Sequence, residues 1–308
     1  MKIRAFILMA VVMLGAAILI GCAPSEEAAV EESHLIVANF AETQTMDPRA
    51  VEDTASHWIN NQIFDGLVRR TDDMGVEPAL ATDWSFVDDR TIEFNLRQGV
   101  TFHNGVEFTA EDVKFTYETL LDRSLGFAGR SRLAMIDVEN IEVVDDYTIR
   151  IPTNEPFAAV LTYLAHSSSL IVSKAAVEEY GADFGANPVG TGPFKLARWD
   201  RGTAVHLERF DEHWRGPAQV ERLTFRGIPE GSSRTIEVET GGVHVAQTIP
   251  ETDFNRLREN NNVELHEYAA MRLHYILFNT QEEPFNDVRV RQAISYALDI
   301  EELAEVAY

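Results

Sequence analysis

The feature that most restricts the fold is a two-strand pattern around a pair of aspartates, which occurs twice in this chain. Each copy is rich in β-branched and aromatic residues on both sides of Asp-Asp, which is typical of two strands joined by a tight turn. The copies are DWSFVDDRTIEFNLR, residues 83–97, and ENIEVVDDYTIRIPT, residues 139–153. Between them, residues 108–121 predict a helix with Thr109 as N-cap and Asp112 at the capping-box position. Strand pairs separated by a helix predict a mixed α/β fold.

The rest of the chain continues this alternation of strands and helices. Residues 55–70 place their apolar side chains on one helical face, and residues 194–210 predict a hairpin around Arg201-Gly202. The remaining predicted elements are strands at 34–40 and 272–280, and helices at 156–165 opened by Pro156, at 174–181 stopped by Gly181, at 232–242 with Ser232 or Ser233 as N-cap, at 287–298, and from Ile300 onward.

The N-terminus has the order of an export signal. Two basic residues precede an apolar run at 6–20, which is shorter than the about 20 residues that a membrane span needs. The following Leu-Ile-Gly-Cys at 19–22 resembles the bacterial lipobox, in which the cysteine sulfur receives a lipid before cleavage. We therefore expect residues 1–21 to be a signal peptide and Cys22 to be the lipidated first residue of the mature chain. A plain signal peptide with an incidental cysteine and a retained membrane anchor are the alternatives.

Charge and cysteine content narrow the class of protein further. The formal net charge of −24 argues against a nucleic-acid-binding protein, because binding to nucleic acid requires clustered lysine and arginine residues. Such a surface either is simply solvated or favours cationic ligands. Cys22 is the only cysteine, so packing must stabilise the folded body without a disulfide. Residues 22–33 are small and acidic and lack aromatic residues, which predicts a flexible tether beside a membrane surface.

The sequence shows no catalytic constellation. The glycines of GTGPF, residues 190–194, are followed by proline and lack the strand–loop–helix context of a phosphate loop. The histidines are scattered without metal-ligand spacing, and HSSSL, residues 166–170, is better explained as a polar loop than as a catalytic relay. The sequence therefore predicts an exported, tethered body with no catalytic residue, no metal and no cofactor.

Four segments of the chain resemble the extracellular solute-binding proteins of the peptide and nickel type, family 5. Together they extend over nearly all of residues 34–308, in the family's order. One departure is His244, in GGVHVA, where the family often has an acidic residue. The segments are TQTMDPRAVEDTASHWINNQIFDGLVR, EPALATDWSFVDDRTIEFNLRQGVTFHNGVEFTAEDVKFTYETLLD, NPVGTGPFKLARWDRG and LFNTQEEPFNDVRVRQAISYALD.

The resemblance implies a periplasmic-binding-protein-like, two-lobed clamp of type II with an extra inserted domain, which closes around its ligand. It divides the body into domain I at 34–80 and 187–268, an inserted domain II at 81–186, and the start of domain III at 269–308. Chains of the family usually continue well past this point. We therefore expect a fragment or a truncated gene product, which folds poorly or binds weakly by itself.

The same resemblance implies the substrate-binding component of an ABC transporter. Such a protein captures di- or oligopeptides outside the cytoplasmic membrane and delivers them to the permease. We expect a monomer, anchored by its lipid at the periplasmic or extracellular face of the membrane. The alternatives are the same role for a nickel complex, an oligosaccharide or an opine, and a sensory or adhesion module that reuses the fold.

Candidate ligand contacts follow from position along the chain. Glu42, Thr43 and Gln44 come just after the first predicted strand, at the expected cleft edge. Glu42 would meet a cationic group of the ligand, or be a solvated loop carboxylate. Tyr275 and Asn279 lie on the strand predicted near the interlobe crossing. For Tyr275 the alternative is core packing, and for Asn279 it is a structural cap of the following turn.

Overall fold

A five-stranded sheet is built around the first strand. The computed structural model describes residues 33–268 and 275–307, and from His34 onward the chain forms one unit by its contacts. The strands of this sheet are β1 (His34–Asn39), β8 (Phe194–Asp200), β9 (Ala204–Arg209), β10 (Arg222–Gly227) and β11 (Val245–Ala246). Their order in the sheet is β11-β1-β10-β9-β8. Strand β1 is parallel to β10 and β11, and β9 is antiparallel to both β10 and β8. The predicted first strand and the predicted hairpin of β8 and β9 are confirmed.

The two Asp-Asp patterns form a second, antiparallel sheet in the order β4-β5-β7-β6. Asp88 Oδ1 accepts hydrogen bonds from the N–H groups of Arg90 and Thr91, at 2.8 and 2.7 Å, and closes the first turn. In the second turn, Asp145 Oδ1 accepts the Tyr147 N–H at 2.8 Å. Both predicted hairpins are confirmed: β4 (Ala81–Phe86) with β5 (Thr91–Leu96), and β6 (Glu142–Asp145) with β7 (Thr148–Pro152). A short pair, β2 (Val68–Arg70) and β3 (Val76–Pro78), precedes them.

The helix between the hairpins begins where the capping box predicts. Helix α2 spans Ala110–Leu121, and the Thr109 N–H donates to Asp112 Oδ2 at 3.1 Å. Its inner face buries Val113, Tyr117 and Leu120 against the second sheet. The remaining helices are α1 (Thr54–Ile63), α3 (Val160–Leu164), α4 (Lys174–Tyr180), α5 (Gly231–Glu239), α6 (Phe254–Arg258), α7 (Val288–Ala297) and α8 (Ile300–Ala307).

Three predicted helices differ from the structure in length or capping. Helix α1 ends at Ile63 instead of continuing to residue 70, because the chain there pairs as β2 with β3. Helix α3 is shorter than the predicted 156–165 and begins at Val160 rather than at the proline. Helix α5 is capped by Glu230, whose carboxylate accepts the N–H groups of Ser232 and Ser233 at 3.0 and 2.5 Å, so the prediction of a serine cap was wrong.

The predicted strand at 272–280 is not found where the structure describes it. Residues 269–274 lie outside the described residues, and residues 275–279 adopt no regular secondary structure. The next predicted helix is confirmed as α7, which begins after Asp287, whose side chain accepts the Arg289 N–H at 2.9 Å.

Two crossings of the chain join the sheets, and they are packed backbone against backbone. A Cβ atom at Gly190 would lie 2.1 Å from the Ile63 carbonyl oxygen, and one at Gly192 would lie 2.6 Å from the Ile63 carbonyl carbon. The glycines of GTGPF therefore let the second crossing approach the end of α1 closely. Neither glycine adopts a positive φ, so the missing Cβ atoms matter here for space and not for backbone conformation.

Buried polar side chains fasten the same crossings. Asp65, in the first crossing, accepts hydrogen bonds from Thr191 Oγ1 and Trp214 Nε1, both at 2.9 Å. Burial acts to raise the pKa of Asp65, but the His213 ring 3.7 Å away and these hydrogen bonds outweigh it and hold the pKa below its ordinary value. His103 Nε2 donates to the Gly192 carbonyl at 3.0 Å, and burial lowers the pKa of His103 to about 4.

Several predictions about the N-terminus and the domains stay predictions. Cys22, the signal peptide at 1–21 and residues 22–32 of the tether lie outside the described residues. The two sheets alone do not test the predicted domains, which are domain I at 34–80 and 187–268, domain II at 81–186 and the start of domain III at 269–308. Within the part of the chain that the structure describes, no helix combines the length and the apolar character needed to cross a membrane.

Candidate functional site

The candidate site is the edge of the first sheet where three parallel strands end. The strands β1, β10 and β11 run in the same direction, so their carboxyl ends meet at one edge. In open α/β sheets this edge is the preferred position for a ligand, because the loops that follow the strands converge there. We call the loops at 40–44, 227–229 and 247–248 the rim.

The first rim loop carries the predicted residues Glu42, Thr43 and Gln44. The N–H of Gln44 donates to Ser56 Oγ on α1 at 3.2 Å, and Asn39 Nδ2 donates to the Ala55 carbonyl at 3.1 Å. These bonds tie the loop to the start of α1. The side chains of Glu42 and Gln44 are exposed, and Gln44 Nε2 donates to the Glu42 carbonyl at 3.5 Å.

Glu42 lies over two glycines of neighbouring segments. Its Cγ is 3.3 Å from the position that a Cβ would take at Gly227, and its carboxylate oxygens are 3.9 Å from that position at Gly202. A cavity of about 10 Å³ beside them is lined by Thr43 and Trp199, among other residues. This volume holds about one water molecule. This cavity therefore cannot enclose a larger ligand, and the Glu42 side chain that lines it is exposed.

Among the described residues, no contact joins Tyr275 or Asn279 to the rim. The Tyr275 side chain is 72% exposed, which contradicts the alternative that it packs in the core. Asn279 Oδ1 accepts the Gln281 N–H at 3.1 Å, and its carbonyl accepts the Glu282 N–H at 3.2 Å. Asn279 therefore caps the following turn, which is the alternative considered for it. A ligand-binding role for Tyr275, Asn279 and Glu42 stays a prediction.

The third rim loop contains residues that the sequence pattern did not reveal. Gln247 Oε1 is buried and accepts no hydrogen bond from any described residue, and Thr248 has a φ of 54°. Buried acceptors are normally paired, so an unpaired one beside a sheet edge is a candidate ligand contact. In the sequence, only the position of Gln247 directly after a strand could have indicated this role. Strand β11 has two residues, so such a strand is hard to predict.

His244, which departs from the family pattern, has a structural role in the same segment. Its Nδ1 accepts the Ile36 N–H at 2.9 Å, and its own N–H donates to the Ile36 carbonyl at 2.9 Å. The residue thus extends the pairing of β11 with β1 rather than pointing to a ligand contact.

The other polar clusters are explained by turns and packing. His166 Nδ1 accepts the Ser168 N–H at 3.0 Å and caps a turn, as the polar-loop interpretation of HSSSL predicts. Burial lowers the pKa of His166 to about 4 and also lowers that of His57, whose ring lies edge-on to it at 5.2 Å. Across the described residues, no three or more His, Cys, Asp or Glu side chains are grouped so that they could hold a metal ion.

Comparison with known proteins places this geometry in a family. The model of the "Bacterial extracellular solute-binding proteins, family 5 Middle" matches residues 75–308. The glutathione-binding protein GsiB of Salmonella paratyphi A is 32% identical over 284 residues, which are 91% of this chain and 55% of that protein. This chain therefore spans about half the length of the curated relatives it matches.

Solved structures share the fold. The ABC transporter-associated periplasmic binding protein DppA from Helicobacter pylori, in complex with the peptide STSA, superimposes with a TM-score of 0.81 at 29% identity, covering 89% of this chain and 58% of that chain. NikZ from Campylobacter jejuni, in complex with Ni(L-His), gives a TM-score of 0.76 at 27% identity, covering 90% of this chain and 55% of that chain. The predicted two-lobed binding-protein fold is confirmed by these neighbours.

Proposed function

The chain belongs to the bacterial extracellular solute-binding proteins of family 5, and we propose that it captures di- or oligopeptides for an ABC transporter and delivers them to the permease. The observation that carries the proposal is the rim, an edge of parallel strands at which the Glu42 carboxylate lies exposed beside main-chain groups. The similarity to DppA, which was solved with a peptide, supports the same class of ligand.

A peptide suits this edge for a physical reason. An extended peptide presents main-chain donors and acceptors at regular intervals, and a strand end or loop can pair with them whatever the peptide's side chains are. A carboxylate such as Glu42 then offers an attractive partner for a cationic group of the peptide. Closure of a second lobe would exclude water, and the ligand would favour closure only through contacts made in the closed state.

A second candidate is the same transport role for a metal chelate, because NikZ in complex with Ni(L-His) is also similar in structure. An oligosaccharide or an opine would be carried in the same manner, whereas a sensory or adhesion module would need no permease. Permease and ATPase genes beside this one would favour transport.

Binding is tested by amide hydrogen exchange on the mature chain, from Cys22 to Tyr308, because this method detects weak ligands. The probes are tetra-alanine at millimolar concentration, a nickel–histidine complex and a neutral trisaccharide. We expect tetra-alanine alone to slow exchange at the amides of residues 40–44 and 227–228. Protection of these residues only by the nickel complex or the sugar would replace the peptide with that solute. No protection by any probe would refute a ligand edge at the rim.

We further propose that a lipid on Cys22 anchors the protein at the outer face of the cytoplasmic membrane, with residues 22–33 as the tether. The support is the lipobox-like Leu-Ile-Gly-Cys at 19–22 and the short apolar run before it. A single acyl group holds a protein only weakly, so stable anchoring needs more than one chain. Expressed with its leader in a bacterial host, Cys22→Ser should move the protein from the membrane fraction to the soluble fraction. A variant that stays in the membrane would contradict lipid anchoring at this residue.

A further inference from the structure

Helix α5 lies against two of the three rim loops and holds them together through one buried arginine. Arg234 is 4% exposed, and its guanidinium donates to four main-chain carbonyls. Two of these follow β10: Nη1 is 2.7 Å from the Ile228 oxygen and 2.9 Å from the Pro229 oxygen. The other two follow β11: Nε is 2.9 Å from the Gln247 oxygen and Nη2 is 2.5 Å from the Thr248 oxygen.

This use of an arginine is unusual, because no carboxylate forms an ion pair with Arg234 within the described residues. A buried charge is costly unless hydrogen bonds compensate it, and here main-chain oxygens from both loops supply them. A planar guanidinium can bridge two loops in fixed directions. A lysine ammonium has three donors at one point and cannot reach both pairs of carbonyls in the same way.

Other contacts of the same helix strengthen the attachment of the third loop. A Cβ at Gly231 would lie 2.5 Å from Pro250 Cγ, so only glycine lets the helix start approach this closely. One turn further on, Thr235 Oγ1 donates to Asp253 Oδ2 at 2.7 Å. The first turn of α5 is therefore packed on residues 247–253, and Arg234 extends the contact to residues 228–229.

Both loops are also bonded to the first strand, which leads into the loop of Glu42. The Ile228 N–H donates to the Asn39 carbonyl at 2.8 Å, and the Gln247 N–H donates to the Ala38 carbonyl at 3.2 Å. These bonds attach each loop to β1 separately. Among the contacts described above, only Arg234 joins the two loops to each other.

We propose that Arg234 is a positioning residue that sets the spacing between the rim loops after β10 and β11, and so shapes the edge that meets the ligand. The proposal rests on the proposed function only in taking the rim as the ligand edge. It predicts that loss of the bridge loosens residues 227–229 and 247–248 and leaves the rest of the sheet unchanged.

The test is residue-resolved amide exchange on the mature chain with Arg234→Lys, which keeps the charge, and Arg234→Met, which removes it. We expect the amides of Ile228 and Gln247 to exchange at least ten times faster in both variants, while those of Leu223 and Val205, inside the sheet, stay within a factor of two. Arg226→Met is the matched control, since Arg226 pairs with Glu237 of the same helix and touches no rim carbonyl. If Arg234→Met does not fold, Arg234→Lys decides.

Two results would overturn the proposal. Exchange at Ile228 and Gln247 within a factor of two of the unsubstituted chain would show that the bridge does not hold the loops. Equal acceleration throughout the sheet would show that Arg234 stabilises the whole sheet and does not position the rim. Tetra-alanine protection is measured separately on the unsubstituted chain, so its absence would refute the peptide proposal and leave the result on loop spacing intact.

Discussion

The crossing between the two sheets should depend on the charge of Asp65. The carboxylate accepts one hydrogen bond from Thr191 Oγ1 and one from Trp214 Nε1, each at 2.9 Å. In Asp65→Asn the shape is nearly unchanged. However, both donors bond Oδ2, so the asparagine amide oxygen can still accept both hydrogen bonds, and the variant loses the negative charge that strengthens them.

The expected cost follows from these two bonds. A hydrogen bond to a charged group contributes about 1.5–3 kcal/mol, whereas one between neutral groups contributes about 0.5–1.5 kcal/mol. Because both bonds become neutral, at a loss of about 1 kcal/mol each, we expect the free energy of unfolding to fall by about 2 kcal/mol. In a chain of this size 1 kcal/mol corresponds to about 2–4 °C, so the melting temperature should fall by about 4–8 °C.

Differential scanning calorimetry and urea titration at pH 7 measure the effect. Asp72→Asn is the control, because it removes the same charge from an exposed side chain in a nearby turn. The double variant Asp65→Asn with Thr191→Val should lose less than the sum of the two single variants. A melting temperature for Asp65→Asn within 1 °C of the unsubstituted chain would show that the charge of Asp65 does not stabilise the crossing.

Two further predictions concern acid stability and the rim. Burial holds the pKa of His166 near 4 in the folded state, against about 6.5 unfolded, so the folded chain binds fewer protons between these values. The His166 contribution to stability is therefore complete above pH 6.5 and falls towards pH 4. Allowing for partial exposure, we expect this contribution to be about 1 kcal/mol smaller at pH 5 than at pH 7. Urea titration should show it as the difference between the unsubstituted chain and His166→Asn, because His103, whose pKa is also about 4, titrates in both. His166→Asn keeps an acceptor for the Ser168 N–H and should remove this part of the pH dependence, and an unchanged loss in the variant would contradict the assignment. At the rim, Glu42→Gln with Gln44→Ala should weaken tetra-alanine binding about ten-fold in calorimetry or exchange protection, and unchanged affinity would remove both residues from the site.

Elements whose signals are local could be predicted from the sequence. The Asp-Asp hairpins and the capping box of α2 depend on residues within a few positions of one another, and the hydrogen bonds of Asp88 and Asp112 reproduce the expected turn and cap. The hairpin at Arg201-Gly202 is equally local. The family resemblance, carried by long motifs, was likewise available before the fold.

The mistaken predictions have other causes. Helix α1 ends at Ile63 because residues 68–70 pair as β2 with β3, although the apolar side chains of residues 55–70 also fit a helical pattern. The cap of α5 is Glu230 rather than a serine, because the glutamate carboxylate reaches two amides of the first turn at once. For α5, the general preference for serine at the N-cap position therefore predicted the wrong residue.

The sequence by itself determined the local elements and the family, because each depends on neighbouring residues or on an ordered series of motifs. The tertiary structure alone decided the rim. It brings together the ends of β1, β10 and β11, of which β1 pairs in parallel with residues almost two hundred positions away, His34 with Arg222. No periodicity identifies which strands become neighbours, because pairing is selected by burial of whole strands in one sheet. The sequence could therefore only predict Glu42, from its place after the first strand, whereas Gln247 and the bridge made by Arg234 follow from the tertiary structure alone.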